Sequence, residues 1–172
     1  MSQHVYDTVV VQYSRNLKNL KSMLLKAREF AQERKFDENN FLALRAAPDM
    51  FPLVRQVQIV SDMTKNAAAL LAGKTPPAME DNETTLEQLL TRLDKTMAFI
   101  NEQKPADYTN WTEQKYTSKH RPGLFMSGKD FYDQQTVPNV YFHMTATYML
   151  LRTHGVNLGK KDFLGEVNWQ KA

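Results

Sequence analysis

The chain reads as all-α, a four-helix bundle with one long excursion between its third and fourth helices. Two observations predict this. Apolar residues recur at helical spacing in four long segments, each bounded by recognisable start or stop residues. Between the third and fourth of these, helical periodicity is absent over Ala106 to Gly128, where aromatic residues are scattered among polar ones. A length of 172 residues fits one domain, 1–172, able to bury a sizeable core.

The first helix is expected from about His4 to Arg34. Tyr6, Val10, Tyr13, Leu17, Leu20, Leu24, Ala27 and Ala31 alternate steps of four and three, an a/d seam. Val9, Met23 and Phe30 widen the stripe toward a globular core. Lys35 to Pro48 is a connection with a possible helical turn at Phe41 to Arg45. The second helix opens at Asp49 as N-cap with Pro52 in the first turn. Its face is Phe51, Val54, Val57, Val60, Met63, Ala67 and Leu71; Gly73 stops it and Pro76-Pro77 prevents its resumption. The third opens at Thr84 or Thr85, with Glu87 or Gln88 at capping-box spacing. Its core face is Leu86, Leu89, Leu90, Leu93, Met97 and Ile100, and Lys104-Pro105 closes it.

In the excursion, Tyr108, Trp111, Tyr116 and Phe125 pack on the bundle, and a Pro122-Gly123 turn suggests a short two-stranded hairpin. Ser127 can cap a helical piece from Lys129 to Gln135, which runs with a kink near Pro138 into the fourth helix. Pro138 suits a first turn and Gly155 a left-handed C-terminal cap. The tail, Val156 to Ala172, wraps the surface.

Composition narrows the function classes. Without cysteine there are no disulfides, thiolate metal sites or cysteine nucleophiles, which fits a reducing compartment. The absence of a signal-length or membrane-length apolar run points to a cytoplasmic protein with no membrane partner. The net charge of +3 sits largely on the first helix, in Arg15, Lys18, Lys21, Lys26 and Arg28. With no aromatics interleaved, this is a solvated face rather than a nucleic-acid platform.

His143 is the one histidine well inside a helix, and Thr147 follows at i+4 where a helical metal pair would place a second imidazole. On the second helix Gln58 and Asp62 share a face at i and i+4, and either could bond the imidazole; Gln56 is a further candidate. Thr147 and Tyr148 complete the candidate ligand-binding set, and His143 is also the one candidate metal ligand. A buried polar pair that fixes helix register explains the same residues without chemistry, and no catalytic residue is assigned. His154 fits the last helical turn as a dipole-favoured cation; His4 and His120 are solvated. Arg55 with Asp62, or Arg152 with Asp162, could form ion pairs, and Met63, Met97, Met144 and Met149 fill the inner stripes.

Two blocks carry a resemblance: Ala47-Pro-Asp-Met-Phe-Pro-Leu-Val-Arg-Gln-Val-Gln58, and Tyr141-Phe-His-Met-Thr-Ala-Thr-Tyr-Met-Leu-Leu-Arg152 continuing to Gly165. Together they resemble an uncharacterised, domain-of-unknown-function branch of the DinB-like (DinB/YfiT) metalloenzyme superfamily, over about Tyr6 to Gly165. The resemblance implies up-down-down-up-like connections and, often, a homodimer. Many members hold nickel, zinc or iron with one histidine from the second helix and a spaced pair from the fourth. Some use it to activate a low-molecular-weight thiol, and others have no known activity. Here only His143 matches; Thr147, Gln56 and Gln58 stand where histidines are expected. One imidazole beside an amide and a hydroxyl is a weak set for a divalent ion, so no cofactor is firmly assigned. The expected function is therefore a small-ligand-binding or non-catalytic stress-type protein. The alternative is a divalent-metal-dependent transferase- or hydrolase-like enzyme using His143.

Overall fold

The computed structural model describes residues 2–118 and 121–170; the expectation for His120 falls outside them. Among the described residues the fold is all-α apart from one two-stranded hairpin. We label as α1 the continuous helix 2–34, made of Ser2–Tyr6, a π-turn Asp7–Gln12, and Tyr13–Arg34. Helix α2 is Leu53–Leu70 and α3 is Leu86–Asn101. Helix α4 is the continuous run 128–153: Gly128–Asp130, a π-turn Phe131–Thr136, and Val137–Thr153. A short α5, Lys160–Leu164, follows.

These four long helices pack side by side, α2 lying between α3 and α4 while α1 lies against α3 and α5. The seam of α1 is buried from Val10 to Ala31, as its spacing requires. At its end Lys35 takes the left-handed conformation. In α3, Thr85 and Gln88 form the reciprocal capping box.

The start of α2 differs from expectation. Asp49 is not its cap: Pro52, extended at ψ 164°, precedes the first helical residue, and Phe51 lies outside the helix, 54% exposed. A proline disfavours the helical region for the residue before it, which keeps Phe51 out of the helix, and Pro52 is itself extended, so the helix starts at Leu53. Glu38–Ala43 forms a 3₁₀ turn in place of a turn at 41–45.

The excursion is an ordered cover. The Tyr108 hydroxyl donates to the Ala68 carbonyl at 2.9 Å, and Trp111 meets Tyr132 edge-on. Strands β1, Lys115–Thr117, and β2, Phe125–Ser127, pair antiparallel with Tyr116 opposite Met126. Tyr116 stacks on Phe131 with centroids 4.1 Å apart. At Gly128 a Cβ would lie 1.8 Å from the Trp111 carbonyl oxygen, so only glycine lets the helix start there. Ser127 caps this start by accepting from the Asp130 amide.

Pro138 produces no break between separate helices. It stands in the first turn after the π-turn, one residue beyond Val137, where the missing N–H is best tolerated. Gly155, at φ 96°, ends the helix as a left-handed cap. Met149 is a correction to the inner stripe: it is 48% exposed, on the outer face of α4 with Phe142.

Ion pairs occupy much of the basic face of α1. Lys21 meets Asp94 at 2.6 Å, Lys26 meets Asp162 at 2.6 Å, and Arg28 bonds Glu38 and Glu87. Arg15 donates to the Leu164 and Glu166 carbonyls and so holds the tail. The expected pairs Arg55–Asp62 and Arg152–Asp162 do not form, because Lys26, Arg92 and Lys65 reach those carboxylates instead. No helix among the described residues is long and apolar enough to cross a membrane.

Candidate functional site

His143 and Gln56 meet across the α2–α4 contact. His143 Nδ1 lies 2.6 Å from Gln56 Oε1, and Gln56 Nε2 donates to the Phe51 carbonyl at 2.9 Å. With its amide nitrogen so used, Gln56 presents an oxygen to the ring, and Nδ1 must carry the proton. Nε2 is then a free lone pair. The residue as a whole is 9% exposed. Burial, helped by the nearby Arg55 charge, holds the imidazole pKa below its ordinary value, and the ring is neutral. Phe142 stands edge-on to it at 5.1 Å.

The other expected residues are employed elsewhere. The Thr147 hydroxyl donates back to the His143 carbonyl at 3.0 Å, a bond within its own helix. The Tyr148 ring faces Phe163 of the tail. Gln58 donates to Glu83 at 2.8 Å and accepts from Arg55. Asp62 receives Arg92 at 2.8 Å and Lys65 at 3.0 Å. The imidazole thus takes its partner from Gln56, two positions before Gln58, whose own side chain turns to Glu83 and Arg55. His154 Nδ1 donates to the Leu150 carbonyl at 2.7 Å and closes the end of α4.

Beside this pair lies a network that periodicity does not reveal. Arg92 of α3 is 3% exposed. Its Nε donates to Ser61, and its terminal nitrogens reach Asp62, Asp81, Glu83 and the Glu80 carbonyl at 2.8–3.0 Å. Ser61 also bonds Thr96 at 2.7 Å. Arg55 pairs with Asp81. Burial works against the Arg92 charge, but bonds to Glu83 and the fields of Asp62, Glu83 and Asp81 outweigh it and hold the guanidinium charged. The signal for it in the sequence is its position, i+3 from Leu89 and i−4 from Thr96, inside the apolar stripe.

The donors do not fit a catalytic divalent ion. His143 supplies one open nitrogen, Thr147 and Gln56 are used, and Asp62 is neutralised by two cations. Among the described residues no group of three or more histidine or acidic side chains is placed to hold a metal.

Residues 5–164 match the family described as Domain of unknown function (DUF1993). The chain belongs to that family. A crystal structure of a DinB family member protein from Shewanella denitrificans is similar throughout: TM-score 0.95 and 37% identity, covering 99% of this chain and 97% of that one. No curated protein matches the chain.

Proposed function

We propose that this is a single-domain, DinB/YfiT-like four-helix bundle, cytoplasmic and homodimeric, that binds a small ligand at His143 without catalysis. The observation that carries the binding reading is the His143–Gln56 bond. It fixes the tautomer and leaves Nε2 as a neutral acceptor nitrogen. Phe142 and Phe51, each more than half exposed, supply apolar surface beside the pair. A neutral acceptor with aromatic neighbours suits a small molecule that offers one hydroxyl or N–H from an apolar body. The absence of cysteine supports the reducing compartment, and exposed Phe142 and Met149 on one face of α4 support self-association.

Phenol is a suitable probe. Titration should shift the His143 Nε2 resonance in ¹⁵N spectra of the wild type, and His143→Ala should abolish binding. No shift at millimolar phenol would overturn the ligand reading. Near-stoichiometric nickel, zinc or iron in untagged protein, lost in His143→Ala, would replace it with the metal-dependent one. Light scattering tests the dimer.

A further inference from the structure

The hairpin and the start of α4 border a cavity of about 390 Å³ that the His143 site does not use. It reaches α4 at Gln134 and Gln135, eight or more residues before His143. One side of it is fixed by packing: Tyr116 stands opposite Met126 across the strands and stacks on Phe131 with centroids 4.1 Å apart. Leu124 and Phe125 complete the apolar wall, 62% and 59% exposed. Large apolar side chains held at the surface beside a cavity of this size are what small-molecule pockets present.

The turn between the strands adds a charge. The Arg121 amide donates to the Ser118 carbonyl at 3.0 Å and the Leu124 amide to the Arg121 carbonyl at 3.2 Å, while Gly123 takes φ 79°. Arg121 thereby joins the cavity wall, where it is the one charged residue among those described. Arg28, Arg55 and Arg92 all meet carboxylates, but Arg121 has no ion pair among the described residues. The acids on this stretch of α4 are engaged: Asp130 accepts from Gln134 and Ser127, and Asp133 pairs with Lys129. A second cation stands close by, the Lys115 ammonium 4.8 Å from the centroid of the Phe125 ring.

We infer that this cavity binds a small aromatic carboxylate. Its ring lies against Tyr116, Leu124, Phe125 and Met126, where aromatic and thioether neighbours favour a flat ring. Its carboxylate pairs with the planar Arg121 fork, which matches two carboxylate oxygens. No described residue of the wall is acidic, so that charge is unopposed and a cationic ligand does not fit. A neutral ligand leaves Arg121 without a counter-charge.

The probe is naphthoate, with naphthalenemethanol as its neutral counterpart, titrated into the full chain. Naphthoate should shift the Met126 methyl resonance saturably below millimolar concentration. Arg121→Gln should weaken its binding about tenfold, and Arg121→Lys should restore part of the loss. Arg121 is exposed, so these variants keep the fold. The alcohol should bind more weakly than the carboxylate, and equally to wild type and Arg121→Gln. His143→Ala should leave the naphthoate titration unchanged, which separates this site from the one probed with phenol. No saturable shift at Met126, or equal naphthoate affinity of wild type and Arg121→Gln, would overturn the inference. So would naphthoate binding that is lost in His143→Ala.

Discussion

Arg92 and His143 sit on either side of α2 and solve opposite problems. Arg92 is a buried permanent charge, and every face of its guanidinium is matched: Ser61, Asp62, Asp81, Glu83 and the Glu80 carbonyl. His143 is neutral, bonds Gln56 through Nδ1, and keeps Nε2 unprotonated. Burying a charge is tolerable only with complete pairing, which leaves no valence for a ligand. Burying a neutral imidazole needs one partner, which leaves a valence over. The more elaborate polar cluster is therefore the structural one, and the simpler pair is the candidate site.

The comparison breaks most readily at Arg92. Arg92→Ala should cost about 3–5 kcal/mol in chemical denaturation, because the carboxylates around it lose their buried counter-charge. A loss below about 1 kcal/mol would mean that water already screens the cluster. Gln56→Leu should cost less, about 1–3 kcal/mol, since it strands the His143 Nδ1 proton and the Phe51 carbonyl. It should also let the ring turn, seen as a mixture of tautomers by NMR.

The third effect is a pH slope. The folded-state pKa of His143 lies below its ordinary 6.5, so the unfolded chain takes up the proton first. The stability contributed by the neutral ring is full above about pH 6.5. It falls with decreasing pH through the folded value, by at most about 1.4 kcal/mol per pH unit. His143→Phe should flatten that part of the stability profile below about pH 6.5, whereas a slope of the opposite sign in the wild type would contradict a neutral ring. The smallest effect belongs to the surface pairs of α1: Lys21→Ala, whose partner Asp94 is half exposed, should change stability by about 0.2–1 kcal/mol, less in high salt.

Much of the fold could be read directly. The alternating seam of α1, the Thr85–Gln88 box, the Ser127 start and the Gly155 stop are local patterns, and local patterns survive into the structure because backbone hydrogen bonding and side-chain periodicity act within a few residues. His143 could be picked out, since a histidine near the apolar stripe of a helix needs a partner. Its partner could not. Gln56 and Gln58 differ by about 200° around α2, and which one meets α4 depends on how the two helices are rotated against each other. Arg92 was hidden for a related reason. A charge within an apolar stripe is stable there only because the segment carrying Glu80, Asp81 and Glu83 returns across α2 and α3. Nor do the π-turns announce themselves, for their residues have ordinary helical composition and the register shift answers to packing and to Pro138. What the sequence determined alone was most of where helices begin, end and turn an apolar face inward, the start of α2 and the outward Met149 excepted, all short-range chemistry. Which polar groups meet, and so which nitrogen remains open, was decided by tertiary packing, because those contacts join residues 25 to 87 positions apart whose approach no local pattern encodes.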